Sequence, residues 1–165
     1  MLSNTGNFLI ILNILTTIFI IYFCYNSINS TGEKNTKKIY NLNLYQATFA
    51  IMTFVTLVTG FIFSDFSLKT VFENSHTLKP LFYKISGSWG NHEGSLLLWI
   101  NIMVIFSFLF LIYNKQSDKK YRLYTLIAQN ILILGFLIFL FFNSNPFSLV
   151  YPTPNEGLGL NPILQ

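Results

Sequence analysis

Hydrophobic and polar positions divide the chain into four charge-free apolar stretches, at about residues 8–25, 44–63, 96–113 and 123–142. Each is about 18–20 residues long, enough to cross the roughly 30 Å hydrocarbon layer as a helix rising 1.5 Å per residue. The pattern predicts an all-α membrane protein with four transmembrane helices. An outer-side interfacial loop with a short helix, residues 64–94, is expected between spans two and three. Residues 1–142 then form a four-span module, and 143–165 an extended tail rich in proline and glycine, which no regular helix accommodates.

Polar residues inside the spans predict how they pack. Asn13, Thr16 and Thr17 in the first span, and Gln129 and Asn130 in the fourth, are expected to face other helices, because polar groups in lipid need partners. Thr53, Thr56 and Gly60 form a small-residue stripe that suits a packing seam in the second span. Residues 26–43, with Gly32, Glu33, Lys34, Lys37 and Lys38, read as a solvated loop. In the connection before the third span, Phe66, Leu68, Thr70 and Phe72 alternate with polar residues, which suggests a short extended piece. Pro80 suits the first turn of a helix, and Leu81, Phe82, Ile85 and Trp89 follow at about one-turn spacing, as in an amphipathic helix at a membrane surface.

Composition agrees with a polytopic membrane protein: 52% of residues are hydrophobic, 10% are charged and mean hydropathy is +0.51. No basic leader or small-residue cleavage site precedes the first span, so an uncleaved helix is expected. The single cysteine, Cys24, allows no internal disulfide or Cys-cluster metal site, and reads as a small buried apolar residue. The net charge of +4 does not call for nucleic acid, because the basic residues stand beside the spans. Seven of them (Lys34, Lys37, Lys38, Lys115, Lys119, Lys120 and Arg122) flank the first and third connections, against Lys69, Lys79 and Lys84 in the second. The positive-inside rule then puts both termini and the second connection on the outer side. Eighteen Phe and nine Tyr beside three Ala and one Arg fit translation from an AT-rich genome, as in many organelles.

The chemistry concentrates at Trp89-Gly90-Asn91-His92-Glu93-Gly94-Ser95, which leads into Leu96-Leu97-Leu98-Trp99. Gly90 and Gly94 allow tight backbone paths. Asn91 suits the N-cap of the third span, whose first turn favours the negative charge of Glu93 by roughly 0.3–1 kcal/mol. His92 beside Glu93 is compatible with a haem or metal ligand, a proton carrier, or a hydrogen-bonded interfacial residue. Trp89 and Trp99 suit either stacking on a flat cofactor or anchoring in an aromatic belt. No Ser/His/Asp or Cys/His set and no phosphate-binding loop is present.

The run Tyr83-Lys84-Ile85-Ser86-Gly87-Ser88-Trp89-Gly90-Asn91-His92-Glu93-Gly94-Ser95-Leu96-Leu97-Leu98-Trp99 closely resembles the WG-x-HEGS-LLLW signature of the CcmF and NrfE haem lyase subunits. Ser64-Asp65-Phe66-Ser67 is similar to the family's aspartate-phenylalanine segment. Asn143-Ser144-Asn145-Pro146-Phe147, Glu156-Gly157 and Leu160-Asn161-Pro162-Ile163-Leu164-Gln165 are similar to its segment after the fourth span. The resemblance covers roughly residues 40–165. Family members continue beyond this region into further spans, a tryptophan-rich WWD segment and the histidines that hold haem.

The resemblance therefore implies the N-terminal part of a CcmF-type haem lyase, expected as a split mitochondrial fragment. On this reading the chain is a non-catalytic part of a heteromeric enzyme that attaches haem covalently to apocytochrome c. It lies in the mitochondrial inner membrane with both termini toward the intermembrane space, or in a bacterial plasma membrane if the chain is not organellar. The expected partners are the WWD-bearing fragment, which holds most of the haem, a CcmH-type thiol protein, a CcmE-type haem chaperone, apocytochrome c and membrane lipid. Trp89, Gly90, His92, Glu93, Gly94, Ser95 and Trp99 are the residues expected to contact a partner or the haem vestibule. An accessory structural subunit of a respiratory complex and a small transporter or channel subunit are the alternatives. No charge lies within a span to mark an ion path for the transporter.

Overall fold

The computed structural model describes residues 1–28 and 33–159, with backbone alone at 33 and 34. Gly32 and the segment 160–165 lie outside the described residues, as do the side chains of Glu33 and Lys34. The protein is all-helical in its regular structure: α1 (Leu2–Ser27), α2 (Glu33–Ile62), α3 (Lys69–Asn74), α4 (Leu81–Gly87), α5 (His92–Tyr113) and α6 (Lys119–Asn143). Four of these helices are long and apolar enough to cross a membrane. They close a ring in which α1 packs on α2 and α6, and α5 packs on α2 and α6. The connections after α1 and α5 sit together at one end, here the hairpin end. The other end carries α3, α4 and the tail.

Two helices run further than hydropathy suggests. α1 begins at Leu2 rather than near residue 8. α2 begins at Glu33, so most of the loop expected at 26–43 is helix. Hydropathy marks where charges begin, but a helix continues through charged residues that favour it. Lys, Gln and Glu are good helix formers, and no Gly or Pro interrupts residues 33–43. Tertiary packing favours the extension: Ile39 is buried with Ile20, Cys24, Leu111, Leu123 and Leu126 in a cluster near the hairpin end.

A second, larger cluster fills the rest of the bundle, from Ile10, Leu57 and Phe61 to Leu97, Ile100, Ile133 and Leu137. Lipid is as apolar as these side chains, so dispersion and internal hydrogen bonds decide helix pairing. The polar residues divide accordingly. Asn13 and Thr17 are buried, whereas Thr16 is only half-buried and returns its hydroxyl to its own helix at Leu12 O. Thr53 and Gly60 line the α2 seam. Thr56 does not: it is half-buried and donates to Met52 O, and Leu57 takes the buried place. Asn130 is fully buried, whereas Gln129 is half-buried with its Oε1 lacking a partner among the described residues.

Gln46 was not singled out by span boundaries, yet it ties three helices together. Its Nε2 donates to Thr17 Oγ1 at 2.7 Å and to Asn130 Oδ1 at 3.0 Å. Near the hairpin end, Ser107 Oγ donates to Asn43 Oδ1 at 3.5 Å. The spacing Asn43, Gln46, Ala50, Thr53, Leu57, Gly60 follows one helical face, and all six residues are buried.

Candidate functional site

The connection between α2 and α5 is where this bundle departs from a plain up-and-down topology. Ser64, with φ of 54°, breaks α2, and Lys84 Nζ donates to its hydroxyl at 2.7 Å. An extended piece over residues 66–72 is not what forms: Lys69–Asn74 is helix α3, and only Leu68 makes a β-bridge, to Leu149. Pairing with the tail is confined to the residues around Leu68. Lys69 N donates to Ser148 O at 2.9 Å and Val150 N to Ser67 O at 3.0 Å. Pro80 is the N-cap of α4, whose Leu81, Phe82 and Tyr83 remain exposed.

Asn91 organises the turn between α4 and α5. Its Oδ1 accepts from Gly94 N at 2.7 Å, its Nδ2 donates to Gly87 O at 2.8 Å, and its carbonyl accepts from Ser95 Oγ at 2.6 Å. One side chain thus closes the end of α4 and caps the start of α5. Ser88 is fully buried beneath this turn, and its hydroxyl donates to Ile85 O at 2.7 Å. Gly94 presses against the Ser88 carbonyl so closely that a Cβ there would overlap the oxygen. Glycine is therefore required at 94 for close approach. Gly90 is exposed, and its N–H donates to Ser86 O at 3.1 Å.

The remaining motif side chains point away from the core. His92 is exposed at the first position of α5, and its Nδ1 lies 3.4 Å from Ser144 Oγ at the end of α6. Glu93 follows in the first turn, half-buried, where the helix dipole favours its charge. Trp99 lies seven residues beyond His92 on the same helical face and is 64% exposed. Trp89 is 41% exposed on the turn itself, and neither tryptophan makes a ring contact among the described residues. The structure therefore brings together Asn91, Gly94, Ser95 and Ser88 as a framework. It leaves His92, Glu93, Trp89 and Trp99 as a displayed surface. Ser88 and Ser144 carried no sequence signal beyond their proximity to the motif and to the end of a span.

The tail completes this end of the molecule. Phe147 is fully buried in a notch left by Gly6, where a Cβ would overlap its ring. Ser3 Oγ donates to Phe147 O at 2.7 Å, and Asn145 Nδ2 to Asn7 Oδ1 at 2.8 Å. Further along, Leu158 N donates to Phe72 O at 2.8 Å and Gly159 N to Ser75 O at 3.0 Å. Glu156 accepts from Thr77 Oγ1 at 2.7 Å and from Thr77 N at 3.0 Å. These bonds hold its carboxyl below the ordinary value, with a small contribution from His76. His76 Nδ1 accepts from Leu78 N at 3.2 Å, so the same nitrogen cannot also donate to Glu156, 3.8 Å away. Burial lowers the pKa of Lys79, whose Nζ donates to Asn74 O at 2.8 Å.

Among the described residues no three His, Cys, Asp or Glu side chains gather as a metal site. His92 is the motif's one imidazole, and His76 is engaged elsewhere.

No family model matches the chain. It is 45% identical over 118 residues to the cytochrome c-type biogenesis protein CycK of Rhizobium meliloti, covering 72% of this chain and 17% of that protein. It is 40% identical over 113 residues to the cytochrome c-type biogenesis protein CcmF of Escherichia coli, covering 68% of this chain and 18% of that protein. The match to the NrfE protein of Haemophilus influenzae is 36% over 109 residues, 66% of this chain and 17% of that one. Among solved structures, the cytochrome c haem lyase CcmF shares the fold, with a TM-score of 0.79 and 19% identity over 90% of this chain and 25% of that one. The chain thus spans less than a fifth of the length of these curated relatives. Over that length it belongs to the CcmF-type family of cytochrome c biogenesis proteins.

Proposed function

We propose that this chain is a subunit of the cytochrome c maturation haem lyase, scaffolding covalent haem attachment to apocytochrome c on the outer side of the membrane. The observation that carries the reading is the α4–α5 turn. A family-like motif is held rigid by Asn91 and Gly94, while His92, Glu93, Trp89 and Trp99 are offered to a partner. Rigid backing with an outward-facing polar and aromatic surface suits a docking role better than catalysis by the chain alone.

In this role the four helices supply one module of a larger bundle. The remaining spans, the WWD segment and most contacts to haem come from a partner chain. CcmH-type and CcmE-type proteins and apocytochrome c approach the displayed face. When bound, haem supplies the vinyl groups that become thioethers. This chain's residues orient: Trp89 and Trp99 anchor the turn at the interface, and His92 and Glu93 hold a partner or a haem propionate through hydrogen bonds. The residue bias supports placement in a mitochondrial inner membrane, and the basic hairpin end supports termini in the intermembrane space.

The test is a mild-detergent pull-down of the tagged chain, with mass spectrometry and a haem absorption spectrum on the same sample. Recovery of a WWD-bearing chain with a haem b signal is expected. Recovery of respiratory-chain subunits without such a partner would replace this reading with that of an accessory structural subunit.

A further inference from the structure

The hairpin end holds a feature unrelated to the motif. Two adjoining cavities of about 360 and 250 Å³ open between α2, α5 and α6. Thr36, Leu111, Lys115 and Arg122 line both, and Lys37 and Tyr40 line the larger. The smaller continues inward to Ile39, Leu123 and Leu126, all of them buried. The cavities are therefore cationic at the rim and apolar at the floor. No acidic side chain lines them among the described residues. Asp118 stands nearby, but its carboxylate accepts from Tyr121 N at 3.3 Å as the cap of α6.

Arg122 is the central group. Its Nη1 donates to Lys115 O at 3.0 Å, which ties the guanidinium to the α5–α6 connection. Its Nε is buried and has no hydrogen-bond partner among the described residues. Buried polar groups are nearly always satisfied, so this donor calls for an acceptor from the cavity side. Guanidinium and ammonium groups arranged in this way recognise phosphate oxygens. A free phosphate would use the rim and leave the apolar floor unfilled. Tyr40, which lines the larger cavity, is 38% exposed on the outer surface of α2 that faces hydrocarbon. An amphiphile uses both parts.

We infer that the pocket between Lys37, Lys115 and Arg122 binds the phosphate of an anionic phospholipid, with the apolar part of the lipid lying along Tyr40 and Leu111. The site is independent of the haem-lyase reading, because none of its residues belongs to the motif. Each basic group near a lipid phosphate strengthens binding about fivefold, and salt weakens the attraction.

The full chain, purified in detergent, is titrated with phosphatidylglycerol or with phosphatidylcholine of the same acyl chains, and adducts are counted by native mass spectrometry. Preferential retention of phosphatidylglycerol is expected, weakening with ionic strength and unaffected by millimolar inorganic phosphate. The combined Lys115→Gln and Arg122→Gln variant should bind about twenty-five-fold more weakly. Lys69→Gln, at the opposite end, should bind as the unaltered chain does. Circular dichroism establishes that the double variant keeps its helix content. If it does not, Lys37→Gln, on an exposed position of α2, provides the reading with an expected fivefold loss. Equal retention of the two lipids, unchanged binding by the variants, or displacement by inorganic phosphate would each overturn the assignment, the last in favour of a free-anion site.

Discussion

The two ends of the bundle are built on different physics. At the hairpin end two short connections join long helices, and seven basic residues stand against two acidic ones, Glu33 and Asp118. At the other end three basic residues meet four acidic ones, Asp65, Glu73, Glu93 and Glu156, and sequence-remote segments are joined by backbone hydrogen bonds. The first end is defined by charge, which acts at a distance and tolerates change at any one position. The second is defined by close approach, in which one atom too many is felt. A motif that must be presented rigidly belongs at the second kind of end. A surface that sets orientation and meets lipid headgroups belongs at the first.

The largest expected effect is a break of the close-packed end. Gly94→Val forces a side chain into the Ser88 carbonyl and should destabilise by about 3 kcal/mol or more, because overpacking commonly costs about 1–3 kcal/mol against yielding side chains. Thermal unfolding in detergent reads it. The control is Gly135→Ala, where nothing lies within 4 Å of the added carbon. That change should stabilise by up to about 1 kcal/mol. Equal melting of the two variants would remove the distinction drawn here between close approach and open helix surface.

Between the ends, the Gln46 layer sharpens the comparison. Asn130→Leu strips an acceptor from the fully buried Gln46 amide and should cost about 1–2 kcal/mol. Gln46→Leu should cost less, since it also removes Oε1, which is buried without a partner among the described residues. The reverse order in unfolding measurements would mean that the amide is satisfied in some other way. For function, His92→Ala should lower holocytochrome c yield while leaving melting within about 0.5 kcal/mol, as expected for an exposed side chain. An unchanged yield in an intact complex would remove His92 from the docking face.

The smallest effect is electrostatic. Glu156 has its carboxyl pKa lowered by the folded state's Thr77 bonds, so its contribution is present above the ordinary value of 4.5 and is lost as pH falls through the lowered folded value. Loss of hydrogen-exchange protection at Leu158 and Gly159, relative to the intrinsic rate at each pH, should therefore appear only below about pH 4.5, and Glu156→Gln should remove the pH dependence. Protection that persists unchanged below that pH would show that the tail is held by its backbone bonds alone.

The four long apolar helices were legible because hydrocarbon admits few alternatives. A charge-free run of this length must satisfy its own backbone, and a helix does so. Asn91 as the cap of α5 was legible because capping is local chemistry between residues three apart, and Pro80 at the start of α4 because its ring fixes φ. Hydropathy misplaced the start of α2, because it reports where charge begins, whereas the helix continues past the packed Ile39 through exposed Lys37 and Lys38 to Glu33. The alternation at 66–72 suggests a strand, but pairing is confined to the Leu68–Leu149 bridge and Lys69–Asn74 forms helix α3.

What the sequence determined by itself is thus the helical class, the charge asymmetry of the two ends and the motif's place at the start of a span. Each follows from interactions within a few residues or from a sum over many. Only the tertiary structure decided that Gly94 meets Ser88, that Gly6 receives Phe147, that Gln46 joins Thr17 to Asn130, and that Arg122 overlooks a cavity. The residues of these contacts come from different elements or across a turn. Their pairing depends on helix rotation and register within about an ångström, because close packing and hydrogen bonds both fail over such distances.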